Sequence, residues 1–158
     1  ELHNVFLTKV KGVSLERVSA DGDSNQKSNW QSAASDAGGA TPGYVNSQTR
    51  TLKNVDKILT KPEDHFSPNN DGFLDQFIVQ YLLDKPGYIL RWRVFDAAGR
   101  LIKSDQSGVL TGTDGFITWD GSTDDLKKAL PGIYVFKFQC THPDGTTKSE
   151  HISCLLTY

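Results

Sequence analysis

The sequence predicts an all-β fold: an immunoglobulin-like antiparallel β-sandwich over residues 62–158, preceded by an extended N-terminal arm over residues 1–61. Three observations predict it. From Phe66 onward, short runs alternate apolar and polar residues, the period of a strand with one buried face. Turn residues punctuate those runs at Pro86-Gly87, Ala98-Gly99, Pro131-Gly132 and Pro143-Asp144-Gly145. The count that results, about six or seven strands in roughly 90 residues, is that of a small β-sandwich. The Cys–Trp–Cys spacing of antibody domains is absent, so the likeness is architectural.

Taken in order, the arm offers one edge-strand candidate, Val13–Val18, where Val13, Leu15 and Arg17 alternate with Ser14, Glu16 and Val18. Residues 20–43 are Asp, Asn, Ser and Gly around one aromatic, Trp30, which reads as a tryptophan anchoring its loop or, alternatively, stacking on a ligand. Thr41-Pro42-Gly43-Tyr44 suits a type II turn, because Gly tolerates the positive φ at its third position. Asn46 to Arg50 reads as a linker, and Val55 to Leu59 as a first short strand.

Phe66-Ser67-Pro68-Asn69-Asn70-Asp71-Gly72-Phe73-Leu74-Asp75 then opens the sandwich, combining turn residues with clustered oxygen donors. Beyond it, Phe77, Val79, Tyr81 and Leu83 share one face, and Leu90, Trp92 and Val94 pack inward while Arg91 and Arg93 face water. Leu101 and Ile102 resume a strand after the 96–100 hairpin loop, and Phe116–Trp119 forms the next. Residues 120–128 read as a long polar loop. In the last hairpin, Tyr134, Phe136, Phe138 and Cys140 point one way, as do Ile152, Cys154 and Leu156. Turning at residues 143–145 pairs Cys140 with about Lys148, which leaves Cys154 roughly 20 Å further along at ~3.3 Å per residue. A disulfide needs Cα atoms within about 7 Å, so both thiols are expected free and buried.

Composition excludes several function classes. A net charge of -2 gives no general attraction to nucleic acid or to an anionic membrane. No run approaches the ~18 apolar residues of a membrane span. Glu1-Leu2-His3-Asn4 has neither the basic start nor the apolar stretch of a signal peptide, and it lacks an initiator Met, so the chain reads as part of a longer one.

Candidate sites each have a structural alternative. Asn69, Asp71 and Asp75 could cage calcium, but aligning Gly72 with the sixth position of an EF-hand loop puts Ile78 where a bidentate carboxylate belongs. That excludes the EF-hand and leaves a looser oxygen cage or a capped turn. Asp64, His65 and Ser67 are triad-type residues, yet neighbours in sequence rarely converge on one reacting atom. His142 and His151 have no Cys or carboxylate at zinc-ligand spacing. Asp120, Asp124 and Asp125 read as a turn or as partners to the 66–75 carboxylates. Trp92, Trp119 and the tyrosines read as core or, alternatively, as a sugar platform. No Gly-x-Ser-x-Gly, His-Glu-x-x-His or phosphate-binding Gly loop occurs, so the expectation is a non-catalytic module.

Two resemblances sharpen this. Lys11–Arg17, Ser28–Ala34 and Ala40–Gln48 together resemble the final part of bacterial lamin-tail-type domains, which makes the arm a remnant of such a domain. Phe66–Gly72 with Asp75, Val94–Ile102, Trp119-Asp120-Gly121 and Leu130–Tyr134 resemble the immunoglobulin-like C-terminal domains of secreted and surface proteins in gliding, type IX-secreting bacteria, with the flagellar hook-cap immunoglobulin-like domain as a relative. That resemblance implies a secreted or outer-surface location. It implies a role in export, anchoring or spacing, with secretion or cell-envelope machinery as partner. A carbohydrate- or protein-binding sandwich is the alternative. No cofactor is implied; calcium is the one candidate.

Overall fold

In the computed structural model, residues 2–49 and 57–158 are described. Among them the chain is β-structured, with one 3-10 turn at Lys27–Asn29 and no α-helix. Among the described residues, no helix is long and apolar enough to cross a membrane.

The arm holds a small antiparallel pair, β1 (Leu15–Arg17) and β2 (Trp30–Ser32), with Arg17 opposite Trp30. The alternation at Val13–Val18 predicts the first of these strands, whereas residues 30–32 read as loop. The strand was hidden because Trp30–Ser32 is too short to show a period. What brings it alongside β1 is Asn29, which is buried, accepts from the Ser19 amide at 2.8 Å and donates to the Ser19 carbonyl at 3.1 Å.

Eight further strands form the sandwich. They are β3 (Leu59–Thr60), β4 (His65–Phe66), β5 (Phe77–Leu82), β6 (Ile89–Asp96), β7 (Leu101–Leu110), β8 (Asp114–Trp119), β9 (Gly132–Thr141) and β10 (Thr147–Leu156). One sheet has the order β3-β5-β8 and the other β4-β10-β9-β6-β7. The consecutive short strands β3 and β4 join opposite sheets, and β4 runs parallel to β10 while the other pairs are antiparallel. Of the strand expected at Val55–Leu59, residues 55 and 56 lie outside the described residues; Leu59 pairs with Tyr81.

Alternation places the core as expected. Phe77, Val79, Tyr81 and Leu83 from one sheet meet Leu90, Val94, Tyr134, Phe136, Phe138 and Cys140 from the other, all buried. Phe66 on β4 is fully buried in the core, with ring centroids 5.9 Å from Phe77 and 5.3 Å from Trp119. Trp92 is half-buried and stacks on Phe136 at 5.1 Å. Burying each such aromatic contributes on the order of 2–3 kcal/mol, which is why the core and not strand propensity holds the sheets together. Tyr134 donates its hydroxyl to the Leu130 carbonyl at 2.6 Å. A tyrosine at the start of a strand bonding back upstream is the corner that pins such sandwiches.

Strand β7 runs eight residues beyond the two the sequence indicated, to Leu110. Its pairing with β6 shifts register twice, between Leu90 and Trp92 and between Val94 and Phe95. A bulged edge strand loses the simple alternation that betrays a strand in sequence. The last hairpin pairs Cys140 with Lys148 and Tyr134 with Cys154, so both cysteines are free and buried.

Candidate functional site

The structure gathers Asn69, Asp71 and Asp75 into the one loop predicted for them. The loop closes through the Ser67 amide donating to the Leu74 carbonyl at 2.8 Å. It turns sharply enough that Asn70, Gly72 and Leu74 all have positive φ. Its oxygens are engaged from within. Asp75 accepts from the amides of Asn70 (2.6 Å) and Gly72 (2.9 Å). Asp71 accepts from the Phe73 amide at 2.8 Å and from the Asn69 side chain at 2.9 Å. The Asn69 side chain and the Phe73 amide hold the Asp71 carboxyl below its ordinary range. A cation here would compete with N–H donors already in place. Among the described residues, no group of three or more His, Cys, Asp or Glu converges as a metal cluster would.

The triad-type residues do not converge either. Asp64 pairs with Lys61 at 2.6 Å, exposed His65 lies on β4, and Ser67 serves the loop through its backbone. His142 belongs to a polar knot at the β9–β10 turn, 2.9 Å from Asp144, with its ring 5.2 Å from that of Tyr88. Lys85 binds Asp144, Lys148 binds Asp84 at 2.8 Å, and both ammonium groups lie about the Tyr88 ring. The bond from Lys85 pulls Asp144 well below the usual carboxylate range. Burial would raise Asp84, but Lys148 outweighs it and the net shift is down. His151 is exposed on β10.

In the polar loop after β8, Asp120 accepts from the Ser122 amide at 2.9 Å and Asp124 from the Ser104 amide at 3.1 Å. The first bond closes a turn within the loop and the second pins it to the edge of β7. The loop meets the 66–75 stretch at Gly121, where a Cβ would stand 3.0 Å from Pro68, and neither Asp120 nor Asp124 bonds to a carboxylate there. Trp119 is in the core, its indole donating to the Ser122 carbonyl at 2.8 Å. Trp30 donates to the Ser24 carbonyl at 2.9 Å and so anchors its own loop.

Sequence reasoning missed the junction between arm and sandwich. Gln48, expected in a linker, is fully buried. Its amide donates to the Thr111 carbonyl at 3.0 Å and accepts from the Gly87 amide at 3.1 Å, tying together two turns of the sandwich. Asn4 donates to the Gly87 carbonyl at 3.1 Å. Ser35 donates its amide to the Leu110 carbonyl at 2.7 Å, and Thr113 donates to the Ser47 carbonyl at 3.1 Å. The Tyr81 hydroxyl donates to Asp36 at 2.5 Å. Within the arm, the carboxylate of buried Glu16 accepts from Thr41, from Ser47 at 2.7 Å and from the Gln48 amide at 3.3 Å, so it aims Gln48 at the sandwich. Glycines make room at the contact. A Cβ on Gly112 would stand 2.7 Å from the Ser47 carbonyl oxygen, and one on Gly115 would strike the Tyr81 hydroxyl. The one signal available in sequence was the Gly112–Gly115 pair flanking Thr113 and Asp114, which reads equally well as a turn.

Fold and junction together define a class: an all-β immunoglobulin-like sandwich capped at one end by a docked β-arm. No protein-family model matches the sequence, and no curated protein matches it. Among solved structures the chain is similar to FlgD from P. aeruginosa, at 23% identity over 51% of this chain and 62% of that one, TM-score 0.41. It is similar to latent PorU from Porphyromonas gingivalis at 15% identity, over 63% of this chain and 9% of that one, TM-score 0.48. It is also similar to PorZ, a surface component of the type-IX secretion system of the same organism, at 16% identity over 63% of this chain and 11% of that one, TM-score 0.39. The chain thus spans less than two thirds of each of these proteins.

Proposed function

We propose that the chain is a non-catalytic C-terminal module of a secreted, cell-surface protein, serving export, anchoring or spacing. The observation that carries this reading is the locked junction. An arm held by Gln48, Asn4, Ser35 and Asp36 against one end of a sandwich makes a stiff tail, which suits a part that transmits position. The four ordered motifs from Phe66 to Tyr134 support the type IX assignment, and the three arm segments support descent from a lamin-tail-like domain. The use of Asp64, His65, His142, Asp144 and the 66–75 carboxylates in ion pairs, turns and exposed strand positions supports a non-catalytic part.

The test is a fusion of residues 1–158 to the C-terminus of a periplasmic reporter in a type IX-secreting host. Surface display of the reporter is the expected outcome for the export role. A reporter that stays periplasmic while remaining full length removes export and leaves anchoring or spacing.

A further inference from the structure

The outer face of the five-stranded sheet is cationic at its centre, with carboxylates at its margins. On its three central strands the outward positions of β6 include Arg91, Arg93 and Phe95, those of β9 Ile133, Val135, Lys137 and Gln139, and those of β10 Ser149, His151, Ser153 and Leu155. Not one is a carboxylate, although the chain as a whole carries a net charge of -2. Register sets Arg93 directly opposite Lys137, and Arg91 opposite Gln139 on the same face. Like charges facing each other across a ladder destabilise the pair. Arg91, Arg93 and Lys137 make no ion pair among the described residues. They converge on one shallow depression, and Arg91 and Arg93 also line an adjoining groove with Phe95 and Leu101, bordered by Asp105 of β7.

Next to the cations lies an apolar row. Val135 stands between Phe95 and Ser153 in register, Phe95 faces Leu101, and Ile133 faces Leu155. Leu101, Ile133 and Leu155 are exposed large hydrophobics. Asp96 and Glu150 border this row beside Lys137, Asp96 being engaged by Arg100 and Glu150 by the Ile58 and Leu59 amides. An exposed apolar row beside cations that hold no ion pair among the described residues is a surface a partner can cover.

We infer that this face docks an acidic protein segment, whose carboxylates meet Arg91, Arg93 and Lys137 and whose apolar side chains cover Phe95, Val135, Ile133 and Leu155. Charge complementarity selects the acidic partner. The apolar row selects a protein over a polyanionic glycan or nucleic acid, because those supply anions without apolar side chains to match it. The inference deepens the surface-module reading by giving the module a partner, and it is tested without export.

The probe is a short fluorescent peptide of alternating Glu and Leu, titrated into the full chain by anisotropy, with a Gln-for-Glu peptide and a sulfated oligosaccharide alongside. Saturable binding of the Glu peptide is expected. The double variant Arg91→Glu/Arg93→Glu weakens it about tenfold or more, and Ile133→Ser/Leu155→Ser weakens it several-fold; all four side chains are exposed, so the fold is kept. Lys137→Glu, which replaces the opposed cations with an opposite-charge pair, raises the melting temperature by about 1–2 °C. The inference is overturned by absent binding up to about 1 mM peptide. Equal binding of the charge-reversed variant or of the Gln peptide overturns it too. So does tighter binding of the sulfated oligosaccharide that ignores Ile133→Ser/Leu155→Ser, or a Lys137→Glu variant no more stable than the parent.

Discussion

Gln48 shows how much a single side chain decides here. It satisfies a donor and an acceptor that the sandwich would otherwise bury unpaired, at Gly87 and Thr111. Removing it leaves two orphaned backbone groups, each costing about 1–3 kcal/mol. Gln48→Ala is therefore expected to destabilise by about 3 kcal/mol, lowering the melting temperature by roughly 6–12 °C for a chain of this size. A drop of under about 2 °C would mean that water replaces the amide without loss. The thiols are a second residue-scale case. Burial pushes Cys140 and Cys154 each up to about 12, so almost no thiolate exists at neutral pH. Ellman's reagent is expected to leave both unlabelled in the native chain and to label both in guanidinium. Rapid labelling without denaturant would contradict the buried assignment.

At the scale of elements, the 66–75 loop and the β9–β10 turn separate turn chemistry from ligand chemistry. The loop's carboxylates already accept four N–H bonds, so calcium at millimolar concentration is expected to leave the melting temperature unchanged within about 1 °C. A larger rise would restore the cation cage at Asn69, Asp71 and Asp75. At the polar knot, Asp84 and Asp144 have depressed folded pKa values. Their stabilisation is present above the unfolded value near 3.9 and is lost as pH falls through the folded values. Thermal melts should be level from pH 7 to about 5 and fall below about 4. Asp84→Asn/Asp144→Asn should flatten that fall, and curves that stay parallel would remove these groups from the acid response.

The same scale shows what the sequence made legible. Strands β5, β6, β9 and β10 were readable because each alternates over six or more residues and packs one face against the other sheet. The hairpin register that kept Cys140 and Cys154 apart was readable from the turn at residues 143–145. Strands β2 and β4 were not, being two or three residues long and specified by tertiary partners: Asn29 and the β1 backbone for one, β10 for the other. Among candidate site residues, the clustering of Asn69, Asp71 and Asp75 followed from local turn preference. The buried roles of Gln48 and Glu16 did not, because their partners lie 25 or more residues away and polar residues give no periodic signal.

For the whole molecule, the arm and the sandwich share hydrogen bonds, turns and buried side chains across residues 4–49 and 81–113. Such coupling makes the two parts open together, as one stiff unit. Hydrogen exchange at single amides tests this directly, comparing Ser35 and Thr113 at the junction with Val79 and Phe136 in the sheets. Junction amides exchanging within about tenfold of the core amides are the expected result. Junction amides that exchange thousands of times faster, with the sheets still protected, would show an arm that detaches on its own and would contradict the account.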